Sequence, residues 1–185
     1  TDAARERVGL ARVAAGCRVS APRVVVALLG AECTGKSSLG QALAEHLGGS
    51  YVPEYLREWC DAHGRTPQQH EQAAIAAEQA RRIDGATGPW VFADTTPLIT
   101  ALCSQHYFQD DSLLSEALAF QRRCDVILLC APDLPWEADG VQRDGPEVRA
   151  RFDARLRATL AAHGLAWHDV AGADRLTLAL KALRR

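Results

Sequence analysis

The sequence predicts an α/β fold in which a parallel sheet carries helices on both faces, and three observations lead to it. Short apolar runs alternate with longer segments of helical periodicity, the pattern that strand-helix-strand units produce. The first run, Val24 to Leu29, breaks directly into Gly30-x-x-x-x-Gly35-Lys36-Ser37. The third run, residues 90–93, ends on the carboxylate of Asp94, at the strand end where open parallel sheets collect their ligands.

In chain order, Val24 to Leu29 reads as a strand buried on both faces, because it is continuously apolar. The segment 36–47 reads as a helix, since Leu39, Leu43 and Leu47 recur at four-residue spacing. A short strand is expected at 50–52, followed by helices across 54–63 and 67–84. For the second of these, Thr66 is the expected N-cap and Pro67 the first helical residue. After the strand at 90–93, helical segments run over 97–107 and 112–123, with a strand at 125–130. A helix at about 146–163, a strand at 166–170 and a helix at 173–184 complete the chain. Between the fourth strand and the helix near 146 lies APDLPWEADGVQRDGP, rich in Pro, Gly and acidic residues. This is a loop, and a long loop beside a phosphate site reads as a lid.

The 185 residues suffice for one domain with a sizeable core, assigned to 23–185, with residues 1–22 as an N-terminal extension. That extension is rich in Ala and Arg and lacks the apolar core of a secretory signal. A net charge of −2 argues against nucleic acid or an anionic membrane as partner, and no apolar run is long enough to span a bilayer. The six cysteines form no C-x-x-C pair and read as reduced thiols in a cytoplasmic protein. The six histidines show no metal-ligand spacing, and His63 and His70 read as surface residues.

The chemistry concentrates at Gly30 to Ser37. Glycines let backbone N–H groups turn onto a polyphosphate, Lys36 reaches the terminal phosphates and Ser37 offers a hydroxyl to Mg²⁺. A helix beginning at Lys36 points its positive end at the same anion. Of only two lysines against nineteen arginines, one occupies the phosphate-facing position. Cys33, inside the loop, reads as a small loop residue, with a redox-sensitive thiol as the alternative.

Asp94, in WVFADTTP, reads as the acidic partner of Ser37 in holding Mg²⁺, the alternative being a helix cap. Glu54 and Arg57 stand three residues apart on one helical face. They form either a surface ion pair or an acceptor site in which Glu54 orients a hydroxyl and Arg57 holds a phosphate or ribose. The lid carries Arg143, Arg149 and Arg151, of which Arg143 is the expected moving cation, while Arg155 and Arg157 read as surface residues. Trp136 either stacks on a flat ring or anchors the loop.

Taken in order and spacing, GAECTGKSSL, PEYLREW, EQAAIAAEQ, FADTTPLIT and PWEADGVQRDGPEVR resemble the NadR-type ribosylnicotinamide kinase domain, from about Arg23 to the C-terminus. The resemblance implies a P-loop kinase-like parallel sheet with a lid, using ATP and Mg²⁺ to phosphorylate the ribose 5′-hydroxyl of nicotinamide riboside. It implies nucleotide contacts from Gly30, Glu32, Cys33, Thr34, Gly35, Lys36, Ser37, Ser38 and Arg143, with Ser37 and Asp94 at the metal. Acceptor contacts would come from Glu54, Tyr55, Arg57, Thr95, Trp136 and Asp139, and the catalytic set would be Lys36, Glu54, Asp94 and Arg143. The H-x-G-H motif of the fused adenylyltransferase domains in that family is not in this sequence, which leaves a kinase alone as the expectation. A kinase for another nucleoside or metabolite and a nucleotide-switched ATPase are the alternatives. Neither an N-K-x-D guanine-specificity element nor an L-S-G-G-Q stretch occurs, against a GTPase and a transporter ATPase.

Overall fold

The computed structural model describes residues 23–137 and 145–184. Its centre is β1 (Val24–Leu29), an unbroken apolar strand that pairs in parallel on both edges. Around it lie β2 (Ser50–Val52), β3 (Trp90–Asp94), β4 (Val126–Cys130) and β5 (His168–Val170), in the order β2-β3-β1-β4-β5 with every pairing parallel. The chain steps from β1 outward to β2, back to β3, then across to β4. This reversal opens a crevice at the carboxyl end of β1, where ligands bind in such sheets.

Alternation along β1 sets the two faces. Val26 and Leu28 pack with Leu39 and Leu43 of α1 (Lys36–Leu47) and Ala179 of α7 (Arg175–Leu183). Ala27 and Leu29 face the opposite way. They meet Leu98 and Leu102 of α4 (Pro97–Phe108), Leu118 of α5 (Leu114–Gln121), and Leu156 and Leu160 of α6 (Pro146–Ala162). Val25, Val91 and Ala93 extend that second face to Ile83 of α3 (Gln72–Gly85), on which α2 (Tyr55–His63) packs. Each fully buried Leu or Ile contributes roughly 1.5–3 kcal/mol, so both faces are held firmly where the loops leave the sheet.

The expected elements are present with small shifts at their ends, and one boundary is corrected. No helix starts at Thr66-Pro67. A short 3-10 helix, Gln69–Glu71, begins after Gln68 and leads into α3. Gln68 and Glu71 form a reciprocal capping box, with the Gln68 N–H donating to Glu71 Oε2 at 2.7 Å. Arg65 clamps the same carboxylate at 2.7 and 2.8 Å, and this pairing holds Glu71 down at about 2. A carboxylate in this box outcompetes the hydroxyl of Thr66, and Pro67 is left buried before the turn. Thr96-Pro97 does start a helix, with Thr96 at the N-cap of α4. His63 and His70 are exposed.

The described cysteines form no disulfide among themselves, and burial pushes the thiols of Cys124 and Cys130 up to about 12 and about 11. No helix among the described residues is long and apolar enough to cross a membrane.

Candidate active site

Gly30 carries φ of 147°, and a Cβ added there would lie 2.6 Å from the Cys130 carbonyl oxygen and 2.9 Å from Thr34 Oγ1. The turn out of β1 therefore passes too close to β4 for any side chain. Gly35, with φ of 74°, is the left-handed N-cap of α1, so the chain reverses into the helix without a capping side chain. The buried Thr34 hydroxyl donates to the Ala31 carbonyl at 2.9 Å, and Lys36 Nζ donates to the carbonyls of Gly30 and Ala31 at 3.1 and 2.8 Å. The loop is thus held in shape by its own polar atoms. Gly30→Ala should destabilise the fold by about 1–3 kcal/mol, because backbone rather than a yielding side chain obstructs it. Denaturant melts check this, and a wild-type midpoint would contradict it.

Arg175, which sequence reasoning missed, ties this loop to its surroundings. Its guanidinium donates to the Thr34 carbonyl at 2.9 Å, to the carbonyls of Val170 and Ala131 at 3.3 and 3.2 Å, and pairs with Asp133. One side chain at the start of α7 therefore links the phosphate loop, the end of β5 and the root of the lid. No local motif marks it.

Beside the loop, Ser37 donates to Asp94 Oδ2 at 2.5 Å, and the Tyr51 hydroxyl donates to the same oxygen at 2.8 Å. Burial, followed by the adjacent Asp94 charge, raises the Tyr51 phenol well above its ordinary value, so it stays a donor. Tyr51 was also missed. Its ring occupies the space over Gly40 of α1, where a Cβ would come within 2.8 Å of it. Asp94 is 1% exposed, and its other oxygen, Oδ1, is buried with no hydrogen-bond partner among the described residues. A hard carboxylate oxygen left unsatisfied beside a serine hydroxyl fits the few oxygen ligands that Mg²⁺ takes from protein next to phosphates. Thr95, directly after Asp94, has φ of 70°, a strained conformation for a β-branched residue, and its N–H donates to the Leu28 carbonyl at 3.1 Å.

A cavity of about 580 Å³ opens against the phosphate loop, walled by Gly30, Ala31, Glu32 and Lys36 on one element and by Glu54, Leu56 and Arg57 on α2 and its N-cap. Helices α3, α4 and α6 add Gln72, Ile99, Phe108 and Phe152. Glu54 sits where the two polar walls meet, its side chain 18% exposed and its Oε2 4.0 Å from Arg57 Nε. Burial raises its carboxyl above the ordinary glutamate value, opposed by Lys36 and Arg57 and reinforced by Asp94. A buried, raised carboxyl that also feels the charge of Lys36 marks this part of the cleft as a candidate for proton transfer.

The structure brings Gly30, Glu32, Lys36, Glu54 and Arg57 onto one cavity, with Ser37 and Asp94 bonded beside it. Other candidates stand elsewhere. The backbone N–H of Tyr55 donates to Gln79 Oε1 at 2.7 Å, and Arg82 lies 4.3 Å over its ring. Thr95 is buried behind Asp94, and Ser38 is exposed on α1. Trp136 Nε1 donates to Glu32 Oε1 at 2.7 Å, and the Cys33 thiol reaches the Glu137 carbonyl at 3.5 Å, so the start of the lid is fastened to the phosphate loop. Arg149 lines the cavity with its guanidinium on the carbonyls of Leu134 and Pro132 at 2.9 and 3.0 Å. Asp139 and Arg143 lie outside the described residues.

A family model described as an AAA domain matches residues 25–175. The trifunctional NAD biosynthesis/regulator protein NadR of Salmonella typhimurium strain LT2 is 29% identical over 157 residues, 80% of this chain and 38% of NadR. NadR of Escherichia coli strain K12 is 30% identical over 130 residues, 66% of this chain and 32% of that protein. The chain therefore spans only 38% and 32% of the length of these relatives. A crystal structure of NadR in complex with NR matches with a TM-score of 0.74 at 23% identity, over 87% of this chain and 50% of that one. NadR in complex with NAD and AMP-PNP matches with a TM-score of 0.71 at 22% identity, over 87% and 48%. Shikimate kinase from Acinetobacter baumannii matches with a TM-score of 0.50 at 16% identity, over 88% and 92%. These likenesses establish the fold, a P-loop kinase-type parallel sheet flanked by helices. With the sheet, the Gly30–Ser37 loop and the family match in agreement, the chain belongs to the AAA-domain family of P-loop proteins and is similar over most of its length to NadR.

Proposed function

We propose that this protein is an ATP-dependent phosphotransferase acting on an alcohol, which phosphorylates the ribose 5′-hydroxyl of nicotinamide riboside to the mononucleotide. The observation that carries this reading is the shared wall: Gly30, Ala31, Glu32 and Lys36 belong both to the phosphate loop and to an adjoining cavity holding a carboxylate of raised affinity for protons. A bare nucleotide switch needs the loop but not such a cavity. The NadR structures solved with NR and with NAD and AMP-PNP support the same pair of ligands here.

In this reading the loop amides and the N-terminus of α1 receive the ATP phosphates, and Lys36 neutralises the terminal ones. Ser37 and Asp94 would hold Mg²⁺, which would offset phosphate charge. Tyr51 fixes the orientation of the Asp94 carboxylate from behind. Glu54 accepts the proton of the acceptor hydroxyl, because Asp94 already serves Ser37 and Tyr51, while burial raises the proton affinity of Glu54 above that of an ordinary glutamate. Arg57 steadies the ribose or the phosphate, and Arg149 presents a fixed cation on the cavity wall. Arg143 closes with the lid over the transferring group and excludes water.

Asp94→Asn removes the charge from this arrangement with little change of shape. The Mg²⁺ concentration for half-maximal rate should rise at least about tenfold. A Mg²⁺ titration at saturating ATP reads this, and an unchanged midpoint would remove Asp94 from the metal site.

The function itself is tested by incubating the protein with Mg-ATP and a nucleoside panel that includes nicotinamide riboside, following ADP formation. Acceptor-dependent turnover, fastest with nicotinamide riboside, is the expected result. ATP turnover indifferent to every acceptor would point to a switch.

A further inference from the structure

The phosphate loop passes twice through left-handed backbone, at Cys33 with φ of 52° and at Gly35 with φ of 74°, and Thr34 stands between them. Left-handed residues in such a loop turn successive N–H groups toward one concave face, where an anion binds. The peptide joining Thr34 to Gly35 is its weak point. Glycine accepts φ of either sign, so this peptide can rotate and carry its N–H away from the anion at little steric cost.

Arg175 holds that peptide from outside the loop. Its side chain is 11% exposed, and the four N–H groups of its two terminal nitrogens meet four acceptors. These are the carbonyls of Thr34 at 2.9 Å, Val170 at 3.3 Å and Ala131 at 3.2 Å, and the carboxylate of Asp133. The anchor side is fixed to the sheet: Val170 ends β5, and the N–H of Ala131, next after β4, donates to the Val170 carbonyl at 2.9 Å. Asp133 Oδ2 accepts in turn from the Gly172 N–H at 2.5 Å. The Thr34 carbonyl is thereby fastened to the ends of two strands. A trans peptide is planar with its C=O and N–H opposed, so the N–H of Gly35 points away from Arg175. Arg175 Nε, meanwhile, is buried with no hydrogen-bond partner among the described residues. An unmatched donor and a desolvated charge both weaken a fold, so stability alone does not account for a guanidinium here.

We propose that Arg175 is a positioning residue for the donor: it locks the Thr34–Gly35 peptide with its N–H toward the polyphosphate, and so sets the loop's affinity for phosphates without touching them. This rests on the kinase reading above for the identity of the donor, and it gives a role in ATP binding to a residue far outside the phosphate-loop motif. The acceptor cavity has its walls elsewhere, so the acceptor side is unaffected.

Equilibrium titrations with Mg-ATP and with inorganic tripolyphosphate, which carries no nucleoside, test this on the wild type, on Arg175→Lys and on the charge-balanced pair Arg175→Met with Asp133→Asn. Lysine keeps the charge, but a single ammonium cannot span the Thr34 carbonyl and the sheet ends together. Both variants should bind both ligands about tenfold or more weakly, and the KM for ATP should rise likewise while the KM for nicotinamide riboside stays unchanged. Wild-type affinity for tripolyphosphate in both variants would overturn the role, even with ATP weakened, because the loss would then lie at the nucleoside end. A matching rise in the KM for the riboside would mark a general loosening of the site and would overturn it too. Should the wild type bind both ligands yet phosphorylate no acceptor, the kinase reading falls, and the titrations still decide the role of Arg175.

Discussion

Lys36→Ala is expected to lower kcat/KM for phosphoryl transfer by about 10³-fold or more while the protein stays folded. The lysine contributes a charge directed at the developing negative charge of the transferring group, and nothing else in the loop can substitute. Among the described residues its hydrogen bonds go to the carbonyls of Gly30 and Ala31, both residues of the cavity wall, where water can replace the donor. Lys36→Arg should fail as well, because a planar fork does not reproduce a compact ammonium in the mouth of the loop. Steady-state kinetics beside a thermal melt reads both effects. Full activity in Lys36→Ala would take the loop out of the mechanism.

Glu54→Gln should cost roughly 10²–10³ in kcat and also remove the acidic limb of the pH-rate profile. In the wild type that limb should fall above the ordinary glutamate range, because burial favours the protonated form and only the ionised carboxylate accepts a proton. Stability moves in the opposite sense. Folded Glu54 holds its proton more tightly than the unfolded chain does, so the folded state binds more protons between the two values, and wild-type stability declines as pH rises through that window. Glutamine is insensitive to this. The variant should therefore be the more stable protein at neutral pH and equal the wild type below about pH 4, where the carboxyl is protonated in both states. A variant that is inactive but melts identically at every pH would show that Glu54 is not buried as the structure has it.

The middle of the sheet was legible because β1, β3 and β4 are compact, mainly apolar runs separated by longer helical segments, so local pattern and global packing agree. The phosphate loop was legible for a different reason: its function depends on backbone conformation, which glycine and lysine spacing encode directly. The Thr66-Pro67 start misled because a general helix-start preference was applied where the Gln68–Glu71 box, reinforced by Arg65, is the stronger local arrangement. Tyr51 and Arg175 escaped notice since their roles are long-range. Tyr51 reaches Asp94 across 43 residues, and Arg175 reaches Thr34 across 141. Both positions look ordinary in the sequence, a tyrosine in a short strand and an arginine opening a surface helix. For Trp136 the sequence left stacking and anchoring open, and its bond to Glu32 supports anchoring.

Product identity is the most direct test of the phosphotransferase reading. Under single-turnover conditions with Mg-ATP and nicotinamide riboside, mass spectrometry and phosphorus NMR of the quenched mixture should find ADP and a 5′-phosphorylated riboside in equal amounts, with no free phosphate. ADP accompanied by inorganic phosphate, with the riboside unchanged, would contradict it.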